Sequence, residues 1–179
     1  MKRARIVILP IILAILTCIL SIQCFLFSQV QRENEVRFVN EFCTRFSSFA
    51  NRLRNYEGEV EDISAETLGA RYNELSVAIE YFTSARPSSV GFLRPSNRFA
   101  PNFDMSSLSE LRQHMSSLEL KLSTRSTLDV ADVEWLQLLI SELNILRTSL
   151  YSDEGTLQSD IFDEKNFTSV FNNFFSRIT

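Results

Sequence analysis

His114 is the only histidine in a chain of 179 residues, so any imidazole chemistry must use this side chain. One imidazole can serve as a general base or a pH sensor, whereas a metal site needs several His, Cys or carboxylate ligands. No Gly-x-Ser-x-Gly motif or activated-cysteine motif accompanies His114, and the 4 glycines form no phosphate-binding loop. We therefore predict a non-enzymatic protein without metal or cofactor, with His114 beside the apolar seam of a helix.

Four carboxylates form the densest acidic cluster: Glu57, Glu59, Glu61 and Asp62. Paired carboxylates can cleave glycosides or bind calcium, but these residues lie in a short turn and lack the ligand spacing of an EF-hand loop. The pattern favours a solvated turn at one end of a helical domain.

Three cysteines are divided between an apolar run, which holds Cys18 and Cys24, and the rest of the chain, which holds Cys43. On one helix Cys24 and Cys43 lie about 28 Å apart, beyond the reach of a disulfide. Two interpretations of Cys43 are open. It is a small buried residue beside Phe42 and Phe46, which we favour, or it crosslinks two chains.

A basic, aromatic stretch without any acidic residue lies between Glu80 and Asp104. Arginines suit lipid phosphates and aromatic rings suit the membrane interface. The same residues would also suit docking to another membrane protein, or would cap the end of the domain and complete its core. The candidate contact residues are Arg86, Phe92, Arg94, Arg98, Phe99, Phe103 and, from the last predicted helix, Phe171.

An uncharged apolar run at residues 6–27 determines where the rest of the chain is expected to lie relative to a membrane. At about 1.5 Å per residue it can cross a hydrocarbon core of about 30 Å, and it is long for a signal-peptide core. Lys2, Arg3 and Arg5 precede it, which predicts a cytoplasmic tail at 1–5 and a domain at 28–179 outside the cell membrane. We predict an uncleaved signal anchor in the lipid bilayer, with cleavage as the alternative.

The part of the chain after Phe27 is acidic, with 15 basic and 22 acidic residues. A nucleic-acid partner is disfavoured because phosphate binding needs a net basic surface. The length predicts one membrane segment and one domain.

Apolar residues at helical spacing predict an all-α domain, since no useful segment alternates like a strand. The first helix continues from the membrane, and a second runs over about 65–85 with Ser64 as its predicted N-cap. A third starts after Asp104, its predicted N-cap, and a fourth covers about 129–151. A short amphipathic helix follows at about 162–178. The predicted seams are Val39, Phe42, Phe46, Phe49, Leu53 and Tyr56; Leu68, Tyr72, Leu75, Ile79 and Phe82; Leu108, Leu111, Met115, Leu118 and Leu122; Val133, Leu136, Ile140, Leu143 and Leu150; and Phe167, Phe171, Phe174, Phe175 and Ile178.

These helices predict an up-down-up-down four-helix bundle with a loop at 86–103 and the short amphipathic helix as an addition. The basic start, apolar run and continuous helix are similar in outline to type IV pilin-like proteins, although the run lacks a Glu and no Gly precedes it. The plan also resembles the first half of a chemoreceptor, but no second spanning run follows. These features assign no family.

Taken together, the sequence predicts a membrane-anchored, extracytoplasmic interaction or scaffold protein of a bacterial envelope complex. Its expected partners are the bilayer and another membrane or envelope protein, and self-association through the first helix is open. The alternative is an extracytoplasmic ligand-binding sensor that acts with a signalling partner. That alternative requires a pocket between the helices.

Overall fold

The computed structural model describes residues 2–84, 102–125 and 127–178, with side chains from Leu13 onward. These residues form five α-helices: α1 (Lys2–Arg54), α2 (Ala65–Ser84), α3 (Met105–Arg125), α4 (Val130–Leu150) and α5 (Glu164–Ile178). Short 3-10 turns at Val60–Asp62 and Ser159–Phe162 precede α2 and α5. No strand occurs in these ranges, where one isolated bridge joins Tyr151 and Leu157. The all-α prediction is confirmed.

The long helix α1 has an exposed apolar half and a half that packs into the domain. Its large apolar side chains between Leu13 and Val30 are 46–65% exposed, whereas Phe38, Val39 and Phe42 are buried. Among the described helices, α1 alone is long and apolar enough to cross a membrane, with a mean hydropathy of 2.0 over its best window and none of that window buried. The predicted long apolar helix is therefore present, and it runs without a break into the domain.

Side-chain caps start three of the helices. Ser64 Oγ accepts the N–H of Thr67 at 3.1 Å before α2, and Asp104 Oδ1 accepts the N–H of Ser107 at 3.1 Å before α3. At the start of α4, Asp129 and Asp132 form a reciprocal capping box. Each cap satisfies amide donors that have no partner within the first helical turn. The predicted caps at Ser64 and Asp104 are confirmed.

Contacts at both ends show that α1 and α2 are antiparallel. Phe38 packs against Phe82 with ring centroids 5.3 Å apart, while at the other end Tyr56 Oη lies 3.4 Å from Thr67 Oγ1. The turn between them includes Gly58 at a φ of 86°, a conformation that glycine adopts without the steric cost of a Cβ.

The last helix, α5, is part of the core and contacts both α3 and α4. It also lies along α1, with ring centroids 5.3 Å apart for Phe42 and Phe171 and 6.0 Å apart for Phe46 and Phe174. The sequence placed this helix as an addition to four others. It is instead a core element, because phenylalanines on one face of α5 meet the phenylalanine seam of α1.

All five predicted seams lie against one hydrophobic core. Tyr72 and Val133, together with Tyr56, are partly buried, and the other predicted seam residues are buried. Phe42 is central, since its ring lies 5.2–6.2 Å from those of Phe38, Phe46, Phe82, Phe103, Phe167 and Phe171. Edge-to-face pairs of this kind add to the stabilisation that burial alone provides.

Candidate functional site

The predicted contact residues do not form one exposed surface in the described chain. Phe103 is 5% exposed and Phe171 is fully buried, and both rings pack in the aromatic core. For these two residues the core interpretation is correct, because their rings fill the space between α1, α2 and α5. The other five, Arg86, Phe92, Arg94, Arg98 and Phe99, lie outside the described residues.

The ends that flank residues 85–101 lie at the end of the domain nearest the apolar half of α1. On one side, Phe82 and Tyr81 contact Phe38, and on the other Phe103 contacts Phe42. Phe38 follows Phe27 by 11 positions, or about 16 Å along a helix. Tyr81, Phe82 and Phe103 therefore mark the part of the described domain nearest the apolar half of α1.

A cleft of about 470 Å³ lies between α3, α4 and α5. Four polar residues at helical spacing on α3, namely Glu110, Gln113, His114 and Ser117, line one wall, and Trp135 and Ile178 lie opposite. The His114 and Trp135 rings stack with centroids 3.9 Å apart and planes 10° apart. This cleft is partly open to solvent and is the candidate for the pocket between helices that the sensor alternative requires.

Trp135 also holds the end of α5, since its Nε1–H donates to the carbonyl of Ile178 at 3.1 Å. Carbonyls in the last turn of a helix lack intrahelical donors, so this bond satisfies an otherwise open acceptor. The indole thus contacts His114 on α3 through its ring face and the end of α5 through its N–H group.

Partial burial lowers the pKa of His114, while the charge of Asp132 opposes this effect and that of Lys121 adds to it. At neutral pH the ring is therefore a neutral hydrogen-bonding group. Asp132 is 5% exposed and is paired with Lys121, whose Nζ lies 2.6 and 2.8 Å from its two carboxylate oxygens. The hydrogen bond to Asp132 is the main reason that the pKa of Lys121 is raised.

Among the described side chains, no group of three or more His, Cys, Asp or Glu residues is placed to hold a metal ion. The acidic residues Glu57, Glu59, Glu61 and Asp62 are exposed on the turn between α1 and α2. Cys43 is buried, and burial raises the pKa of its thiol to about 12. The predicted buried position of Cys43 is confirmed.

No protein-family model, curated protein or solved structure matches this chain. Functional inference therefore depends on the geometry described above.

Sequence reasoning singled out His114 but did not pair it with Trp135. Periodicity shows that both lie at the edges of their seams, whereas the distance between two seam edges depends on how α3 and α4 pack. The Lys121–Asp132 pair was also missed. It could have been predicted, because Lys121 lies near the end of one predicted helix and Asp132 lies in the first turn of the next.

Proposed function

We propose that this chain is a non-enzymatic interaction or scaffold protein, anchored in a cell membrane by α1 with its helical domain outside. The observation that carries the proposal is the division of α1 into an exposed apolar half and a half buried in the domain core. A cleaved signal peptide has no need to extend as the central helix of the domain that follows it. Because α1 does so, the apolar segment and the domain form one unit.

The orientation of α1 in the membrane is proposed from the charged residues on either side of the apolar run. Three basic residues precede the apolar run, whereas Arg32 beyond it is accompanied by Glu33 and Glu35. The positive-inside rule then places the N-terminus in the cytoplasm. The proposed fold is an up-and-down arrangement of helices standing on the membrane, in a bacterial envelope complex. The compact signal anchor and the lack of a disulfide pair in an exported domain favour the bacterial setting.

The proposal is tested by extracting the full chain from its native membrane in mild detergent and identifying what co-purifies. A scaffold should bring a defined set of proteins in constant ratio. An unrelated single-pass protein of similar size, extracted in parallel, controls for non-specific association. Recovery of the chain alone, at several detergent strengths, would contradict a scaffold function.

A ligand-binding sensor is the second candidate, and the cleft beside His114 and Trp135 favours it. Trp135 is the only tryptophan in the chain, so its emission reports directly on that cleft. Small extracellular solutes can be screened for a saturable change in emission, with His114→Ala as the control for binding in the cleft. A sensor requires at least one solute that saturates the wild type and not the variant.

A further inference from the structure

At the end of the domain far from the apolar half of α1, a groove of about 480 Å³ lies beside the first turn of α4. The turn between α1 and α2 contributes Glu61, and the start of α4 contributes Val130, Val133 and Glu134. We call this feature the distal groove. It is separate from the cleft around His114 and shares no lining residue with it.

Three of the seven residues that line the distal groove are apolar: Leu128, Val130 and Val133. Val130 is 75% exposed, the highest value among the large apolar side chains that the structure describes, while Leu128 and Val133 are partly buried against the core. A branched aliphatic side chain so exposed gains free energy when a partner removes it from water, at roughly 25 cal/mol per Å² of apolar area. Leu128 and Val133, which flank Val130 in sequence, already pack against the core. An apolar side chain of a partner placed against Val130 could therefore extend that core outward.

The rim of the distal groove is acidic. Glu61 and Glu134 line it, and the same turn exposes Glu57, Glu59 and Asp62. The sequence has no basic residue from Asn55 to Ala70, and in the described chain no ion pair engages any of these five carboxylates. Two bases of α3 lie nearby in sequence: Lys121, which is paired with Asp129 and Asp132, and Arg125, which is two positions before Thr127. The exposed carboxylates of the turn and of α4 still outnumber them. The rim therefore favours a positively charged occupant.

A second copy in the same membrane does not fit this charge pattern. The described residues on either side of the chain's own basic, acid-free stretch, Phe82 and Phe103, contact Phe38 and Phe42, whereas the distal groove lies beyond the end of α1 at Arg54. The 16 residues from Phe38 to Arg54 correspond to about 24 Å along a helix. Two copies standing in one bilayer would hold these regions at different heights.

We propose that the distal groove docks a segment of another protein that carries Lys or Arg on one side and apolar side chains on the other. The apolar side chains would cover Val130, and the cations would pair with Glu61 and Glu134. This inference rests on the proposed interaction function and names the surface and the class of partner. Charge pairs at the rim would speed association, and the desolvated apolar centre would supply most of the affinity.

The test is photo-crosslinking of the full chain in its native membrane, with a photoreactive amino acid at position 130 and, separately, at position 77. Val77 is the matched control, because it is an exposed valine on α2 outside the groove. Adducts from position 130 are mapped to the crosslinked peptide by mass spectrometry. We expect a protein segment with net positive charge and apolar residues at regular spacing.

Charge dependence is measured with Glu61→Gln and Glu134→Gln combined, against Glu80→Gln as the control on α2. The groove variant should lower the adduct yield from position 130 at least fivefold, and the control should leave it unchanged. An adduct segment that is neutral or acidic, or a yield insensitive to the groove variant, would overturn the inference. Adducts at position 77 but none at position 130 would overturn it while leaving the proposed function intact. Adducts at neither position would count against both.

Discussion

Because the rings of His114 and Trp135 stack, the protonation state of His114 can be followed by the fluorescence of Trp135. The two centroids are 3.9 Å apart, so a charge gained by the imidazole lies directly against the indole. We predict that acidification changes Trp135 emission with a midpoint below 6.5, because partial burial lowers the pKa of His114. Asn at position 114 keeps polarity without titrating, so His114→Asn should abolish this transition. A midpoint above 6.5 would show that Asp132 outweighs burial.

Cys43 should be almost inert in the folded domain. A thiol with a pKa of about 12 has, at pH 8, a thiolate fraction about three orders of magnitude below that of a free cysteine. In a variant with Cys18 and Cys24 replaced by Ala, we expect negligible maleimide labelling in the native state and complete labelling in guanidinium. An exposed Cys introduced at Arg52 supplies the native-state control, and similar rates at both positions would contradict the prediction.

Burial of Cys43 also makes the free energy of unfolding depend on pH in the alkaline range. Since folding raises the pKa of Cys43, the folded state favours the neutral thiol. The corresponding stabilisation is complete below the ordinary cysteine pKa of about 8.5 and falls as pH rises above it.

At the scale of a single helix, the cap of α3 depends on a carboxylate. Hydrogen bonds from Ser106 and Ser107 lower the pKa of Asp104, so its contribution is present above pH 3.8 and falls as acid protonates it. Asp104→Ala should lower the free energy of unfolding by about 1 kcal/mol at neutral pH. Asp104→Asn should retain most of the cap and remove its acid dependence, as measured by denaturant unfolding between pH 7 and 3. Equal acid dependence in wild type and Asp104→Asn would contradict this assignment.

Helix starts and buried faces could be predicted because their causes are local. Ser64 and Asp104 cap helices through bonds to residues three positions away, and a stripe at 3.6-residue spacing identifies a buried face. The neighbours of α5 could not be predicted in this way. Its phenylalanine face would suit several positions around the other helices, and the choice depends on how the rings of α1 and α5 fit together.

The candidate sites were harder to predict for the same reason. Phe103 looked like part of an exposed basic stretch, since three arginines precede it, but its ring lies 4.3 Å from that of Phe82 in the core. The distal groove joins a turn and a helix start that are about 70 residues apart in sequence. No local pattern in either segment shows that they are neighbours.

For the molecule as a whole, the phenylalanine cluster joins the helix that carries the apolar segment to the rest of the domain. Phe42→Ala should lower the free energy of unfolding by about 3–5 kcal/mol, because it removes a ring that six others contact. Leu120→Ala is the control, since Leu120 is 64% exposed, and its effect should stay within about 0.5 kcal/mol. Unfolding of the full chain in denaturant, followed by Trp135 emission, measures both. A loss below about 1 kcal/mol for Phe42→Ala would contradict the central position of this ring.

The unbroken course of α1 fixes the rotation of the domain relative to the apolar half of the same helix. Each residue added between Phe27 and Phe38 would turn the domain by about 100° and lift it by about 1.5 Å. Seven added residues would complete nearly two turns, returning each face to within about 20° of its original bearing while raising it about 10 Å. A partner that contacts both the apolar half of α1 and the domain would therefore respond to inserted residues with helical periodicity, whereas a partner that contacts the domain alone would be indifferent to this rotation.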